Sequence, residues 1–463
     1  MSQRTVLVVI AGLVVAAALW AFVGFEDPHV QSTFSATGGR GNAALDDLAV
    51  CYEEKQRGMF ELCDDDDAQR RSAAPSHAAQ ELAFCTDLRF PVDHNVTVAR
   101  IHVPEAPSRP GLRMACYTDD DICASVRRIG HFEHYVLRPT LRMLTALRGR
   151  RWRQITAMCR AVPRGNSKPA FCDDSTMESR VLRGGEQIDV EFIDIGANMG
   201  SLSFAVLQQS FPTTGFEVMP SNVQLLSTTT CLNGGRRRVL RTIDNAPVVE
   251  AIVNGALFRL FNRAIGSADT GFASISFAAS RRLAAGNPSN GEITLQWPSV
   301  PMGAMGHSHN MYLLPFARVD TLLRVHRGPA PWRAVARRRM LDQLRAAGMP
   351  RAAVPSDFFT GTDFVVKIDV ELSDLIAIEG MTRLLASEAR PRMFIVEIWP
   401  QNNMTRHGEI FLSHGYKWSR NSLRAPEFVG APFDLKIAPH ETPYDIAWCH
   451  KDFVELCAHA LSP

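Results

Sequence analysis

Two clusters of side chains in this chain have types and spacings that could do chemistry. The first is Asp194-Ile-Gly196-Ala-Asn198-Met-Gly200, a glycine-rich turn between an apolar run and a helical pattern. Glu217 follows Gly196 by 21 residues, at the end of the next apolar run. A carboxylate there can accept hydrogen bonds from both hydroxyls of a ribose, in the crevice at the carboxyl ends of a sheet's strands. The spacing therefore points to an adenosine-type ligand. A dinucleotide needs a second glycine so that backbone can approach the pyrophosphate, and that position is Asn198. Asp194 would repel a pyrophosphate and favour positive charge. S-adenosylmethionine, with an ammonium, a sulfonium and no phosphate, fits those charges best. The plainer alternative is that Gly196 and Gly200 only permit a tight strand-to-helix turn.

The second cluster is Lys367-Ile-Asp369-Val-Glu371 at the end of a later apolar run. Alternation along a strand puts all three charged residues on one face. Glu397 lies inside another apolar run, IVEIW, where an unpaired carboxylate is costly to bury. Three readings fit. Asp369 or Glu371 is a general base for an acceptor hydroxyl; Lys367 and Glu397 form a structural ion pair; or the carboxylates hold a magnesium-like ion. Spacing does not separate them. No Cys/His cluster has zinc spacing, so no metal is assigned.

These side chains need strands to carry them. Apolar runs at 190–195, 213–218, 364–370 and 393–399 read as strands. Helical patterns at 201–209, 221–233 and 374–388 separate them, with Ser221 as an N-cap. Such alternation predicts an α/β fold with a parallel, doubly wound sheet. The turn-rich tail after Ser413 reads as an antiparallel closure. The 135–147 segment has helical spacing interrupted by Pro139.

Charge is uneven although the net is only +2. Residues 26–123 hold 18 acidic against nine basic side chains, and 127–164 hold ten arginines against Glu133 alone. The balance gives no case for a nucleic-acid partner. Thr5–Phe25 is an uncharged run of 21 residues, about the span of a bilayer core. Arg4 before it and Glu26-Asp27 after it orient the remainder outward. The expectation is a type II anchor over 1–25, with a cleaved signal peptide as the alternative, a partly disordered stalk over 26–113 and one catalytic domain over 114–463. Ten cysteines in a luminal chain predict disulfides, with Cys449/Cys457 a close pair, and Asn95 and Asn403 head glycosylation triplets. His307 and His309 lie in a Gly/Met/Pro-rich stretch and read as loop residues.

FIDIGANMGSLSF, GFEVMPSN, RAIGS (263–267), VDTLL (319–323), VVKIDVE and FIVEI occur in the order seen in FkbM-type methyltransferases, which this chain resembles from about Met114 onward. The segment 119–136 is also similar, with Gly130 and Glu133 at matching places. Stretches near 278–312 and 324–361 are insertions relative to the family. The resemblance implies a Rossmann-like, mostly parallel sheet and O-methyl transfer from S-adenosylmethionine, often to sugars. It implies that Asp194, Gly196, Asn198, Gly200, Glu217 and Glu133 contact cofactor, and that Asp369 and Glu371 line the reaction centre. One departure is Leu372 where the family has glycine. The expected activity is methylation of a hydroxyl on a glycan or other small molecule in the endoplasmic reticulum or Golgi. The alternative is a catalytically impaired luminal binding protein that keeps the fold.

Overall fold

A computed structural model describes residues 96–104, 109–169, 172, 190–234, 236–241, 247–268, 272–276, 292–294, 311–327, 341–355, 363–370, 373–387, 390–398, 404–419, 423, 427–430 and 444–462. All belong to one compact unit, His77–Pro463. The anchor run, Asp64–Asp67, the asparagines of both glycosylation triplets (Asn95 and Asn403), His307, His309, Glu371 and Leu372 lie outside the described residues.

The chain opens with a hairpin, β1 (Val96–Ile101) and β2 (Leu112–Tyr117), followed by α1 (Asp121–Ile129) and the long α2 (His134–Arg160). The centre is β3 (Val190–Ile195), α3 (Ser201–Gln208), β4 (Thr213–Glu217), α4 (Pro220–Leu232), β5 (Arg236–Arg241), β6 (Pro247–Val253) and β7 (Ala256–Asn262). A smaller four-stranded sheet uses β8 (Ala264–Ile265), β9 (Phe272–Ser276), β10 (Glu292–Thr294) and β11 (Met311–Ala317). Then come α5 (Val319–Arg327), β12 (Asp363–Ile368), α6 (Asp374–Glu379), α7 (Thr382–Leu385), β13 (Met393–Ile398) and α8 (Met404–Ser413). The chain closes with β14 (Tyr416–Ser419), β15 (Phe428–Val429), β16 (Tyr444–His450) and α9 (Val454–Leu461).

Among the described residues the main sheet has ten strands in the order β15-β14-β16-β13-β12-β3-β4-β7-β6-β5. This corrects the expectation of a mostly parallel, Rossmann-like sheet behind a membrane helix. Only β13-β12-β3-β4-β7 run parallel, and both flanks are antiparallel. The physical cause lies in the connections. Asn254-Gly255, with φ of 50° and 77°, folds β6 tightly back onto β7. A turn that short has no room for the crossover a parallel pair needs. None of the described helices is long and apolar enough to cross a membrane. The fold is a mixed α/β sheet covered by helices.

Side-chain alternation sends the two faces of the sheet into two cores. Phe192, Val365, Ile395 and Ala447 face a core shared with α2, α3 and the hairpin, including Leu144, Phe204 and Ile101. Ile193, Val366, Phe394 and Trp448 face the other, with Leu322, Ile378 and Phe411 from α5, α6 and α8. Ala99 and Ile101 lie in the first core, so the packed unit begins before residue 114.

Two helices differ from their sequence patterns. Pro139 lies inside α2 without ending it. It stands in the second turn, so it removes one hydrogen bond near the helix start, and buried Leu137, Leu141 and Leu144 hold the segment to the sheet. The 374–388 pattern splits into α6 and α7 because Asp320 intervenes. Its amide donates to the Gly380 carbonyl (3.2 Å), and its carboxylate accepts from the Arg383 amide (3.0 Å). Arg318 grips the same carboxylate and donates to the Ser267 carbonyl at 2.6 Å. The RAIGS and VDTLL motifs thus meet as scaffold on the face away from α2.

Among the described residues three cysteine pairs, Cys116–Cys123, Cys159–Cys172 and Cys449–Cys457, form disulfides that brace the α2 side. They tie β2 to α1, the end of α2 to the following segment, and β16 to α9, which packs along α2.

Candidate functional site

The glycine turn leaves the carboxyl end of β3 with three alternate residues in left-handed conformation: Gly196 (φ 83°), Asn198 (φ 51°) and Gly200 (φ 87°). Gly196 is required for space as well as conformation. A Cβ there would lie 1.7 Å from the Asp369 carbonyl oxygen, because the end of β12 crosses directly over the turn. At Gly200 a Cβ would meet Leu226 of α4 at 2.3 Å. The turn is pinned to the neighbouring strand, since the amides of Gly196 and Ala197 both donate to the Phe216 carbonyl at 3.0 Å.

Glu217 completes this half of the site from the end of β4. Its carboxylate accepts from the amides of Asn198 (2.6 Å), Val218 (2.9 Å) and Met219 (2.7 Å). A carboxylate offers about four acceptor positions, so roughly one remains, enough for one ribose hydroxyl rather than two. Burial pushes Glu217 up to about 7, and the three amides only partly offset it. Asn222 of α4 donates to the Asn198 side chain at 3.2 Å, which orients the tip of the turn.

Asp194 is 1% exposed. One oxygen accepts from Ser203 of α3 at 2.6 Å, and the other has no hydrogen-bond partner among the described residues. Burial raises it to about 6, with Lys367 pulling the other way.

The second half lies on the same sheet face. Asp194 pairs in register with Lys367, Lys367 with Ile395, and Glu397 with Asp445. Continuing that register puts Asp369 beside Glu397. The Lys367 ammonium stands 2.7 Å from Asp369 and 3.8 Å from Glu133. Burial alone would lower Lys367, but Asp369, Glu133 and Asp194 outweigh it and hold the ammonium well above the ordinary lysine value. Burial would raise Asp369; Lys367, with a hydrogen bond from Glu397, instead holds it below the ordinary aspartate value. Burial raises Asp445 to about 6, opposed by Lys367 and by a hydrogen bond from Tyr135. Among the described residues no group of three or more His, Cys, Asp or Glu is arranged to hold a metal ion.

Asp194, Gly196, Asn198, Gly200, Glu217, Glu133 and Asp369 thus converge at one end of the sheet. Lys367 takes Asp369 and Glu133 as partners rather than forming the simple Lys367–Glu397 pair. Sequence reasoning missed Asp445, Tyr135 and Ser203. Asp445 carried the same signal as Glu397, a lone acid within an apolar run (YDIAW), but nothing local marks it as the cross-strand partner of Glu397.

Fold and site together define a class: a mixed α/β protein with a glycine turn, a terminal strand carboxylate and an acid-rich edge in one crevice. Comparison with family models, curated proteins and solved structures finds no match.

Proposed function

We propose that this chain transfers a methyl group from S-adenosylmethionine to a hydroxyl oxygen of a glycan or other secretory-pathway molecule. The observation that carries the reading is the convergence of Glu217, Asp194 and the glycine turn at the carboxyl ends of β3 and β4. Glu217 keeps an acceptor position for a ribose hydroxyl, and Asn198 stands where a pyrophosphate would need bare backbone. Around them Glu133, Asp194, Asp369 and Asp445 face a single cation among the described residues, Lys367. Such a field favours a cationic ligand over a phosphorylated one. When bound, that ligand supplies an activated methyl group; the chain's part is to orient it and to receive the acceptor's proton. The disulfides support an oxidising compartment.

Calorimetry of the full chain with S-adenosylmethionine tests this. Binding is expected, weakened about tenfold or more by Glu217→Ala, as for a lost hydrogen bond to a charged group. No binding, or binding indifferent to Glu217→Ala, refutes it.

A further inference from the structure

We propose that Glu133, rather than Asp369, is the catalytic base that takes the proton from the acceptor hydroxyl. This rests on the methyl-transfer reading above. Asp369 is poorly suited to the role. The Lys367 ammonium sits 2.7 Å from one oxygen, and Glu397 donates a hydrogen bond to the same carboxylate. Glu133 is differently placed. It heads α2 with φ 47° and ψ 52°, a left-handed conformation that non-glycine residues seldom adopt. Such conformations persist where the surroundings impose them. Here the Gly130 carbonyl is bonded to the His102 amide of the hairpin at 2.7 Å, and the Glu133 carbonyl starts α2 by accepting from Val136 and Leu137.

The strained backbone is not repaid by capping. The Glu133 side chain makes no cap bond, and it has no hydrogen bond to any described residue. Its nearest charged partner is Lys367 at 3.8 Å, beyond hydrogen-bond reach, while the side chain keeps 19% of its surface exposed. A mostly buried carboxylate with free acceptor positions opens onto the site.

Its surroundings put it on the acceptor side. The charged groups facing it are Lys367 and Asp369 from β12, Asp194 from β3 and Asp445 from β16. Tyr135 follows it on α2. None comes from β4, where Glu217 would hold the ribose. In the transfer step the acceptor oxygen forms its bond to the methyl carbon. The carbon–sulfur bond breaks with its electron pair going to sulfur, leaving a neutral thioether. The hydroxyl proton passes to Glu133. One positive and one negative charge vanish together. Burial pushes Glu133 up to about 7, despite Lys367, so it can both accept a proton and release it near neutral pH.

The test uses Glu133→Gly, which suits the left-handed backbone, and Glu133→Gln, both in the full chain. Radiolabelled methyl transfer from S-adenosylmethionine is measured into glycans released from the expression host. Glu133→Gly is expected to lose roughly 10²–10⁴-fold in transfer, with part of the rate restored by added formate. Its affinity for S-adenosylmethionine by calorimetry should stay within about threefold of wild type. The wild-type minus Glu133→Gln infrared difference should show one carboxylic-acid band lost through about pH 7, while the Glu217 band at similar pH persists in both. Transfer within about threefold of wild type overturns the proposal. So does an affinity loss of about tenfold, which would put Glu133 on the cofactor. Should the wild type transfer nothing to these glycans, the infrared difference between wild type and Glu133→Gln decides, and no difference overturns the assignment. Failure of the wild type to bind S-adenosylmethionine sinks the methyl-transfer reading itself.

Discussion

The Lys367 ammonium lies 2.7 Å from the Asp369 carboxylate, at the end of β12 directly over the glycine turn of β3. The lysine is 6% exposed and is the centre of charge for carboxylates from four elements. Lys367→Met fills a similar volume but leaves those carboxylates unpaired. Removing one partner from a buried ionic group costs about 3–5 kcal/mol. Denaturant unfolding at pH 8 should show a loss of that order, shrinking as the pH is lowered and the carboxylates protonate. A variant as stable as wild type at pH 8 would mean the carboxylates do not depend on Lys367.

Asp194 gives a pH-dependent prediction of opposite sign. Its folded value, about 6, lies above the unbonded 3.8, so the folded state binds the proton more tightly. The cost of its charge is absent below about pH 4, grows as pH rises, and is complete above about 6. Asp194→Asn removes that charge and keeps an oxygen for Ser203. The variant should be more stable than wild type by about 1–3 kcal/mol at pH 8 and equal to it at pH 4. Paired thermal melts at the two pH values measure this, and a difference that does not change with pH would contradict it.

Two glycines with positive φ separate strain from close approach. Gly165 has φ 100° and open space around its Cβ position; Gly196 has φ 83° and the Asp369 carbonyl 1.7 Å from its own. Gly165→Ala should cost about 1 kcal/mol from backbone conformation alone. Gly196→Ala should cost clearly more, about 3 kcal/mol or beyond, because β3 and β12 must separate. Equal losses in urea melts would show that the strand ends do not meet as described.

The Cys449–Cys457 disulfide joins β16 to α9, whose end also accepts a hydrogen bond from Arg142 of α2 at the Ser462 carbonyl. Replacing both cysteines with serine should cost about 2 kcal/mol for so short a loop. Hydrogen exchange should rise in α9 and at the adjoining end of β16, while β3 and β4 stay protected. Uniform loss of protection would mean that α9 docking is not separable from the rest of the sheet.

Much of the central architecture was legible locally. VEFIDI, TTGFE and MFIVEI are apolar runs whose alternation could be read without knowing their neighbours, and Gly196 and Gly200 marked a sharp turn. The mixed sheet was not legible, because strand direction depends on how β6 returns onto β7 and how β16 enters beside β13. Pro139 misled for a related reason. Its local cost is real, but buried packing along α2 outweighs it.

By itself the sequence determined which segments alternate, where the backbone must turn left-handed, and that acids fall at strand ends. Those are short-range properties of side-chain size and spacing. Only the tertiary structure decided which acid meets which cation. Lys367 joins Asp369, two residues away, and Glu133, which reaches it only because α2 crosses the sheet face. Asp445 reaches Glu397 only through an antiparallel register set far along the chain. Electrostatic roles depend on distance and burial, and neither exists until the strands are paired.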